Sequence, residues 1–483
     1  MRIKTVLRVL SLVCLVVCTG MILPLMLALY DGSNDALGFF ISMLIGAGFS
    51  LTVLKITGRT DNNYMGIREG VGVTGFSWII ASLIGALPYW ISGNAASYTD
   101  AFFETMSGFT TTGATIFREI ESLPRGILLW RSLTHLMGGM GIIVLSLAVL
   151  PFLGVSGMAM YKAEVPGVTA GKVTPRLHQT ALRLWGVYML LIFLEMILLM
   201  FGGMSLFDAF CHSCSTIATG GFSTKNNSIA YFSSAYIEWV VIIFMFLSGV
   251  NFSLYFMIPQ RKFKQIFADE ELRCYAKIVI FSALIMTLIL YFTGCFENFM
   301  FAFRNTLFSV VSVMTTTGFI TQDFDLWPDF CRFLIIVIMF IGASGGSTGG
   351  GFKVSRVQII YRHMMSEVSR LLHPKAVINP RMDGKAIPQS TLNSSTAFLI
   401  LYLLLFLAGT LITLLFGVDL VSAVSGVITC ISNVGPALNK LGSVEHFGDL
   451  PGAIKWLFSF LMLAGRLELF AVFLLFVPET YRK

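Results

Sequence analysis

The stretch Thr110-Thr-Thr-Gly-Ala114 returns three more times along the chain, as Ile217-Ala-Thr-Gly-Gly221, Thr315-Thr-Thr-Gly-Phe319 and Ser432-Asn-Val-Gly-Pro436. Aligned on Gly113, Gly220, Gly318 and Gly435, the copies are 107, 98 and 117 residues apart. Each copy ends an apolar segment that is too short or too broken to cross a bilayer, and these segments are 99–113, 206–220, 302–318 and 419–435. Self-similarity at a regular spacing indicates internal structural repeats.

The composition places these repeats in a membrane. Of the 483 residues, 56% are hydrophobic and only 12% are charged, and the mean hydropathy is +0.80. Soluble domains carry about 25% charged residues, so this chain lacks the polar side chains that would cover a water-exposed surface. The composition also excludes a disordered chain, a collagen and a disulfide scaffold. The lipid bilayer is therefore the predicted environment.

Ten segments are long and apolar enough to span a membrane. The first is longer than the apolar core of a signal peptide and lacks an A-x-A cleavage site, so we expect it to be retained as a helix. We predict an all-α integral membrane fold in which two N-terminal helices precede four repeats of span, half-helix and span around one central pore, giving four re-entrant pore loops. The ten spans are 9–30, 36–54, 71–92, 126–153, 180–203, 236–258, 275–293, 331–360, 396–416 and 452–477.

The predicted organisation along the chain follows from these spans. Residues 1–70 form the N-terminal two-helix unit, and 362–394 form a cytoplasmic linker. The four pore repeats are 71–154, 155–258, 259–361 and 395–483.

The distribution of positive charge predicts the orientation. Ten spans leave 24 of the 33 Lys and Arg residues on the side that holds both termini and 8 on the other side, with Arg466 inside the last span. Cytoplasmic loops are enriched in Lys and Arg, so both termini are predicted to be cytoplasmic. The net charge of +7 thus reflects membrane topology and does not indicate a nucleic-acid partner.

Each glycine-containing stretch is predicted to be non-helical backbone at membrane depth. Such backbone is tolerated where it lines a water-filled path. Carbonyl groups there can replace the hydration shell of a cation, and glycine reaches backbone angles closed to other residues. A single copy is better explained as a polar turn, but four regularly spaced copies favour a carbonyl-lined cation path. Asp100, Glu104, Asp208 and Asp419 stand near the starts of the half-helices, where they stabilise the helices or attract cations.

The repeats resemble the TrkH family, the membrane subunits of bacterial Trk potassium uptake systems within the Trk/Ktr/HKT superfamily. The resemblance covers essentially the whole chain, and the two extra N-terminal helices favour TrkH over the shorter KtrB. It implies potassium uptake across the bacterial inner membrane by a non-enzymatic protein. The further matching stretches are Gly138-Gly-Met-Gly-Ile-Ile143, Ala163-Glu-Val-Pro-Gly167, Gly349-Gly-Gly-Phe-Lys353 and Gly465-Arg-Leu-Glu468.

The resemblance also implies a potassium selectivity filter made of backbone carbonyls. Serine at the first glycine position is associated with sodium permeation in the superfamily, and Gly113 stands there in this chain. Potassium is therefore favoured, and a sodium-permeable member is the alternative. The fourth repeat departs most from the consensus. The implied filter residues are Thr111, Thr112, Gly113, Ala218, Thr219, Gly220, Thr316, Thr317, Gly318, Asn433, Val434 and Gly435.

A glycine-rich segment interrupts the eighth span. Residues 342–351 read Gly-Ala-Ser-Gly-Gly-Ser-Thr-Gly-Gly-Gly, and each Gly costs a helix roughly 1 kcal/mol relative to Ala, so the helix is predicted to break within the membrane. A P-loop is excluded because Lys353 is not followed by Ser or Thr. Helix packing through small residues is an alternative. A second alternative is an intramembrane serine protease using Ser344 in a G-x-S-x-G match, although His363, His373 and His446 fall in predicted loops.

The resemblance implies that this segment is an intramembrane loop that gates the pore together with Arg466. A charge inside a span is costly and faces protein or water. An ion pair between Arg466 and Glu195 is the alternative to a pore-facing role. The implied gate residues are Gly345, Gly346, Ser347, Thr348, Gly349, Gly350, Gly351 and Arg466.

Partners are implied by the resemblance rather than by motifs. It implies a homodimer with one pore per subunit and a cytosolic TrkA-type ring that binds NAD(H) or ATP. The basic loops 259–277 and 353–385 are topology signals or docking surfaces for such a partner. The chain carries no dinucleotide-binding glycine motif, so we expect no cofactor on it and potassium at the filter residues as its only metal ion. Cys211-x-x-Cys214 has no second pair and is a weak metal signal.

Overall fold

A computed structural model of the chain describes residues 2–58, 67–141, 177–376 and 378–478. Within these ranges the regular secondary structure is helical except for one short hairpin. The hairpin pairs β1 (Arg381–Met382) antiparallel with β2 (Lys385–Ala386). Six helices in the described part are long and apolar enough to cross a membrane, namely Ile3–Asp31, Asp35–Thr57, Arg68–Ile91, Ala181–Phe201, Glu270–Phe292 and Gln389–Leu415. The predicted all-α membrane class is confirmed at this level.

The N-terminal unit is a pair of helical rods. Helices α1 (Ile3–Gly20) and α2 (Ile22–Asp31) run almost continuously, and α3 (Asp35–Thr57) returns alongside them. Small residues let the two rods approach closely. A Cβ added at Gly46 would lie 2.5 Å from the Cys18 sulfur, so a larger side chain there would displace the Cys18 side chain.

The rest of the chain repeats one arrangement of a long helix, a short helix and a second helix. The first set is α4 (Ile67–Gly85), α5 (Leu87–Ile91), α6 (Tyr98–Phe109) and α7 (Arg125–Gly139). The second set is α8 (Leu177–Phe201), α9 (Leu206–Ile217), α10 (Ala235–Ser248) and α11 (Phe252–Tyr255).

The third and fourth sets follow the same order. After the connecting helix α12 (Phe263–Ala268), the third set is α13 (Glu270–Phe292), α14 (Phe299–Met314), α15 (Asp329–Ile341) and α16 (Val354–Leu372). The fourth set is α17 (Gln389–Leu415), α18 (Leu420–Ser432), α19 (Gly452–Arg466) and α20 (Phe470–Leu474). Short 3-10 turns occur at Ser228–Phe232, Phe324–Leu326 and Asn439–Leu441.

The four short helices α6, α9, α14 and α18 each begin at a side-chain cap. A cap accepts a hydrogen bond from an otherwise unpaired N–H of the first turn and fixes where the helix begins. The caps are Ser97, Ser205, Asn298 and Asp419, with Ser97, for example, accepting from the Asp100 N–H at 3.1 Å. Beyond the first turn these helices are largely buried, so they form the centre of the molecule.

The second helix of each set ends early, and this differs from the predicted spans. Span 236–258 is interrupted after α10, because Gly249 and Val250 leave the helix before Asn251 caps α11. Span 452–477 is interrupted at Leu467–Leu469, where Glu468 and Leu469 have φ of 54° and 47°. The break in span 331–360 was predicted and lies between α15 and α16. In span 126–153, α7 ends at Gly139, and 142–153 lie outside the described residues.

Candidate ion pore

The four glycine-containing stretches fold into four matching turns at the C-terminal ends of the short helices. In each turn one residue adopts left-handed φ, and the N–H of the next residue donates back to the carbonyl five positions earlier, at 2.8–2.9 Å. This pair of features is a Schellman motif, which satisfies the last carbonyls of a helix. The left-handed residues are Thr111 (φ 52°), Thr219 (55°), Thr316 (59°) and Asn433 (58°).

The matching turns correct the alignment of the second repeat. The second left-handed residue in each turn is Gly113, Gly221, Gly318 and Gly435. The equivalent of Gly113 is therefore Gly221, and Gly220 matches Thr112. The predicted alignment on Gly220 is wrong by one residue, because two adjacent glycines offered two registers and the Schellman geometry selects the later one.

The four turns close into a ring, which we call the turn ring and define as 110–113, 218–221, 315–318 and 432–435. A Cβ added at Gly113 would collide with the carbonyl oxygen of Gly220. A Cβ at Gly221 would collide with that of Thr317, one at Gly318 with that of Val434, and one at Gly435 would lie 2.5 Å from that of Thr112. Each glycine thus faces a carbonyl of the next repeat, and the fourth repeat returns to the first.

The turn ring gathers equivalent backbone groups around one centre. The carbonyls that meet the glycines belong to structurally matching residues, Thr112, Gly220, Thr317 and Val434. Between the first and fourth turns, the Asn433 side-chain amide donates to the Thr112 hydroxyl at 3.0 Å and to the Met462 carbonyl at 2.9 Å. The structure therefore brings all twelve predicted filter residues together, with Gly221 added to them.

A cavity of about 110 Å³ lies on one side of the turn ring and is lined by all four of its left-handed glycines. The loops that follow the turns form its rim. Arg118 at this rim hydrogen-bonds to Asp449, and this bond is the chief reason why the pKa of the Asp449 carboxyl is lowered. The rim carboxylate therefore stays ionised over the ordinary pH range.

The glycine-rich segment lies against the other side of the turn ring. We call residues 342–353 the glycine loop. The Thr348 hydroxyl donates to the Ile217 carbonyl at 3.0 Å, and the Gly350 N–H donates to the Thr316 hydroxyl at 2.7 Å. A Cβ at Gly350 would collide with the Ser432 carbonyl. The loop therefore touches the bases of three of the four turns and lies beneath the ring.

Arg466, at the end of α19 in the fourth repeat, connects the glycine loop to the first repeat. Its guanidinium donates to the Thr348 carbonyl at 2.7 Å and to the Gly138 and Gly139 carbonyls at the end of α7, at 2.5 and 2.8 Å. Within the described residues neither carboxylate oxygen of Glu195 has a hydrogen-bond partner, so the alternative pairing of Arg466 with Glu195 is wrong. The structure brings Arg466 and the glycine loop together around a second cavity of about 110 Å³.

Lys353 and Glu271 are site residues that the sequence analysis missed. Lys353 was counted with the cytoplasmic charges, but it is 4% exposed and lines the second cavity, where its ammonium donates to the Gly349 carbonyl. One Glu271 oxygen accepts from the N–H groups of Gly345 and Ser355, at 2.6 and 3.1 Å. Glu271 therefore fastens the loop near its start and just past its end.

A buried ion pair supports the turn ring from behind. Arg131 Nε donates to Glu104 at 2.8 Å, and both side chains are at most 1% exposed. Glu104 also accepts from the Ile116 N–H at 2.8 Å, while Arg131 donates to the Ser223 carbonyl at 3.0 Å. The pair thus joins the extended segments that follow the first and second turns. Glu104 does not face the outer mouth, so the suggestion that it attracts cations there is wrong.

The remaining predicted features do not assemble into a catalytic or metal site. The Ser344 hydroxyl is buried and makes no hydrogen bond to any described residue, so none of the His side chains that the structure describes activates it. Among the described residues, no group of three or more His, Cys, Asp and Glu side chains is placed to hold a metal ion. The stretch 163–167 lies outside the described residues.

Comparison with known proteins identifies the family. Residues 32–481 match the TrkH family, described as cation transport protein. The Trk system potassium uptake proteins TrkH of Halomonas elongata and Escherichia coli K12 are 39% and 37% identical, each aligned over 100% of both chains. The crystal structure of the potassium transporter TrkH from Vibrio parahaemolyticus matches with a TM-score of 0.89 and 34% identity, covering 100% of both chains.

These relatives are named as transport proteins and not as enzymes, which removes the intramembrane protease as an alternative. The resemblance noted in the repeats extends over the full length of the relatives, and the helical arrangement agrees with that of the solved transporter. The chain belongs to the TrkH family of cation transport proteins.

Proposed function

We propose that this protein conducts potassium into bacterial cells across the inner membrane, through the turn ring. The observation that carries the proposal is the closure of the ring, in which each left-handed glycine faces a carbonyl of the following repeat. Backbone carbonyls arranged around one centre can replace the water shell of a potassium ion. The names of the relatives, which are potassium uptake proteins, support the choice of ion.

The filter in this proposal consists of the twelve predicted residues together with Gly221. Their left-handed threonines are strained, because a β-branched residue rarely adopts positive φ. Strained backbone persists only where its surroundings hold it in place, and here neighbouring repeats provide that constraint. A ring that cannot easily contract around a smaller ion is consistent with preference for potassium over sodium.

We propose that Gly345–Gly351 and Arg466 form the gate beneath this filter. The loop packs against three turns, and the arginine reaches the carbonyls of Gly138 and Gly139 beside the first. A fixed positive charge beside the path opposes the entry of a cation. Ion flow therefore requires the loop and the arginine to separate from the turn ring.

The proposed architecture has ten spans and four re-entrant pore loops. Both termini lie in the cytoplasm, and the domain boundaries are those given above. We further propose a homodimer and regulation by a cytosolic nucleotide-binding ring of the TrkA type. The relatives' designation as members of a Trk system supports cooperation with other components. The nucleotide, NAD(H) or ATP, would act on the partner, since this chain has no binding motif for it.

Ion flux in proteoliposomes tests the proposed function. The purified chain is reconstituted, a membrane potential is imposed with no other gradient, and potassium and sodium uptake are compared. Potassium uptake well above sodium uptake is the expected result. Equal uptake of the two ions would favour the alternative, a sodium-permeable member of the superfamily. Uptake of neither ion, even after deletion of residues 344–350, would contradict the proposal.

A further inference from the structure

One polar contact joins the turn ring directly to the glycine loop. The Gly350 N–H donates to the Thr316 hydroxyl at 2.7 Å, and both residues are buried. Thr316 is the left-handed residue of the third turn. Its side chain is therefore held at the junction of two elements that the proposed function assigns to selectivity and to gating.

The surroundings leave this contact little freedom. A Cβ added at Gly349 would lie 2.8 Å from the Thr315 carbonyl oxygen, and one added at Gly350 would lie 3.0 Å from the Asn433 Cβ. The loop backbone therefore sits directly against the third and fourth turns. The Gly350 N–H meets the Thr316 hydroxyl within this packed junction.

The equivalent hydroxyl in the second turn provides an internal comparison. Thr219 has the same left-handed conformation, but its hydroxyl donates to the carbonyl of the adjacent Ala218, at 2.6 Å. Thr316 and Thr219 thus occupy matching positions in the ring while making different contacts. A comparison of the two residues can therefore separate the effect of the Thr316 contact with the loop from the effect that a threonine hydroxyl has on the ring itself.

We propose that Thr316 is a positioning residue that holds the glycine loop closed against the turn ring. The inference rests on the proposed conduction function and adds that filter and gate share one hydrogen bond. When the loop leaves, the Thr316 hydroxyl loses its donor and the third turn loses a constraint. Release of the loop and the conformation of the third turn are therefore coupled.

Replacing Thr316 with valine tests this coupling. Valine keeps the β-branched shape and removes the acceptor, so the buried Gly350 N–H is left unpaired in the closed state only. Rubidium uptake by proteoliposomes without any cytosolic partner is expected to rise about tenfold, the size expected for such a loss. Thr316→Ser, which keeps the hydroxyl, is expected to raise uptake much less than Thr316→Val does. Thr316→Ala is a second test if the valine variant does not fold.

Two comparisons separate the loop contact from a general effect on the filter. Rubidium uptake by Thr219→Val shows what the removal of a ring hydroxyl does by itself. Any additional uptake by Thr316→Val reports the loss of the contact with the loop. In a chain lacking residues 344–350 there is no loop to hold, so the two valine variants are expected to have equal effects there.

The outcomes distinguish this inference from the proposed function. The inference is supported if rubidium uptake rises more for Thr316→Val than for Thr219→Val in the full chain, and if this difference disappears in the loop-deleted chain. Equal effects of the two valine variants in the full chain, or a serine variant as leaky as the valine variant, would overturn it while leaving conduction intact. Absence of rubidium uptake from the wild type and the loop-deleted chain alike would overturn the proposed function and this inference together.

Discussion

Two features of the structure require glycine at position 113, namely the positive φ and the lack of space for a Cβ. Its φ is +83°, and a Cβ there would collide with the Gly220 carbonyl. We expect Gly113→Ser to displace that carbonyl and to weaken discrimination between potassium and sodium, measured as the ratio of their fluxes. Gly93→Ser is the matched control, because Gly93 also has positive φ (+75°) but has nothing within 4 Å of an added Cβ. Unchanged relative permeability in Gly113→Ser would contradict the assignment of the filter.

Arg466 lies where its guanidinium bridges the loop and the first repeat. We expect Arg466→Ala to raise rubidium leak several-fold, because it removes both the positive charge and three hydrogen bonds to backbone carbonyls. Arg466→Lys keeps the charge but cannot reproduce the planar fork, so an intermediate leak is expected. If the alanine variant leaks no more than the wild type, Arg466 is not part of a gate.

At the residue scale the sequence predicts which residues form the site better than it predicts which residues of the four turns are equivalent. The four turns are recognisable because Thr and Gly recur at fixed places, yet Gly220 and Gly221 cannot be told apart without the backbone. Arg131 shows a signal that could have been used, because a basic residue within the predicted span 126–153 already calls for a buried partner. That the partner is Glu104, 27 residues away, depends on tertiary packing.

At the scale of elements, the position of the glycine loop depends on the hydrogen bonds that hold its two ends. Glu271 accepts from the N–H groups of Gly345 and Ser355. We expect Glu271→Ala to free the loop and raise rubidium leak by about tenfold or more, since hydrogen bonds to a charged group contribute roughly 1.5–3 kcal/mol each. Glu270→Ala is the control, because that neighbour pairs at the surface with Arg362. Equal leak in the two variants would exclude a specific role for Glu271.

The Arg131–Glu104 pair holds together the extended segments that follow the first two turns. Removing one partner of a buried pair leaves an uncompensated charge and costs about 3–5 kcal/mol. We therefore expect Glu104→Gln to lower the melting temperature of the detergent-solubilised protein markedly. Asp449→Asn, which breaks an exposed pair with Arg118, should change it little, because exposed pairs contribute little. Similar melting temperatures for the two variants would show that the buried pair is dispensable.

Uninterrupted apolar runs predict where α3, α13 and α17 lie, but α13 and α17 begin 5 and 7 residues before the predicted spans 275–293 and 396–416. Breaks were predicted only where glycines accumulate, between α15 and α16. The breaks after α10 and α19 were missed because their sequences carry almost no helix-breaking residues. At the break after α10 the Phe252 N–H donates to the Gly346 carbonyl at 3.0 Å, a contact with the glycine loop that the local sequence does not reveal.

For the whole molecule, the charge distribution predicts which cysteine a membrane-impermeant reagent can reach. Cys295 is exposed and follows α13 on the predicted outer side. We expect an impermeant maleimide to label it on intact cells. A Cys295→Ser, Lys375→Cys variant, with its new thiol on the cytoplasmic side, should be labelled only after permeabilisation. Labelling of Lys375→Cys on intact cells would reverse the proposed orientation.

At this scale the fourfold organisation could be predicted because duplicated sequence leaves a visible period. The cyclic order of the ring could not, because spacing along a chain does not say which neighbour a repeat meets. That order emerged from the positions of Gly113, Gly221, Gly318 and Gly435 against their partners' carbonyls.

A ring built from one polypeptide has a consequence for how such a protein evolves and can be engineered. In an assembly of four identical subunits, every codon change appears four times around the axis. Here each quadrant has its own codons, so the third could acquire a loop of glycines and the fourth an arginine without disturbing the other two. Substitutions in a single quadrant can accordingly be used to tune leak, while the other three quadrants keep their carbonyls on the proposed ion path.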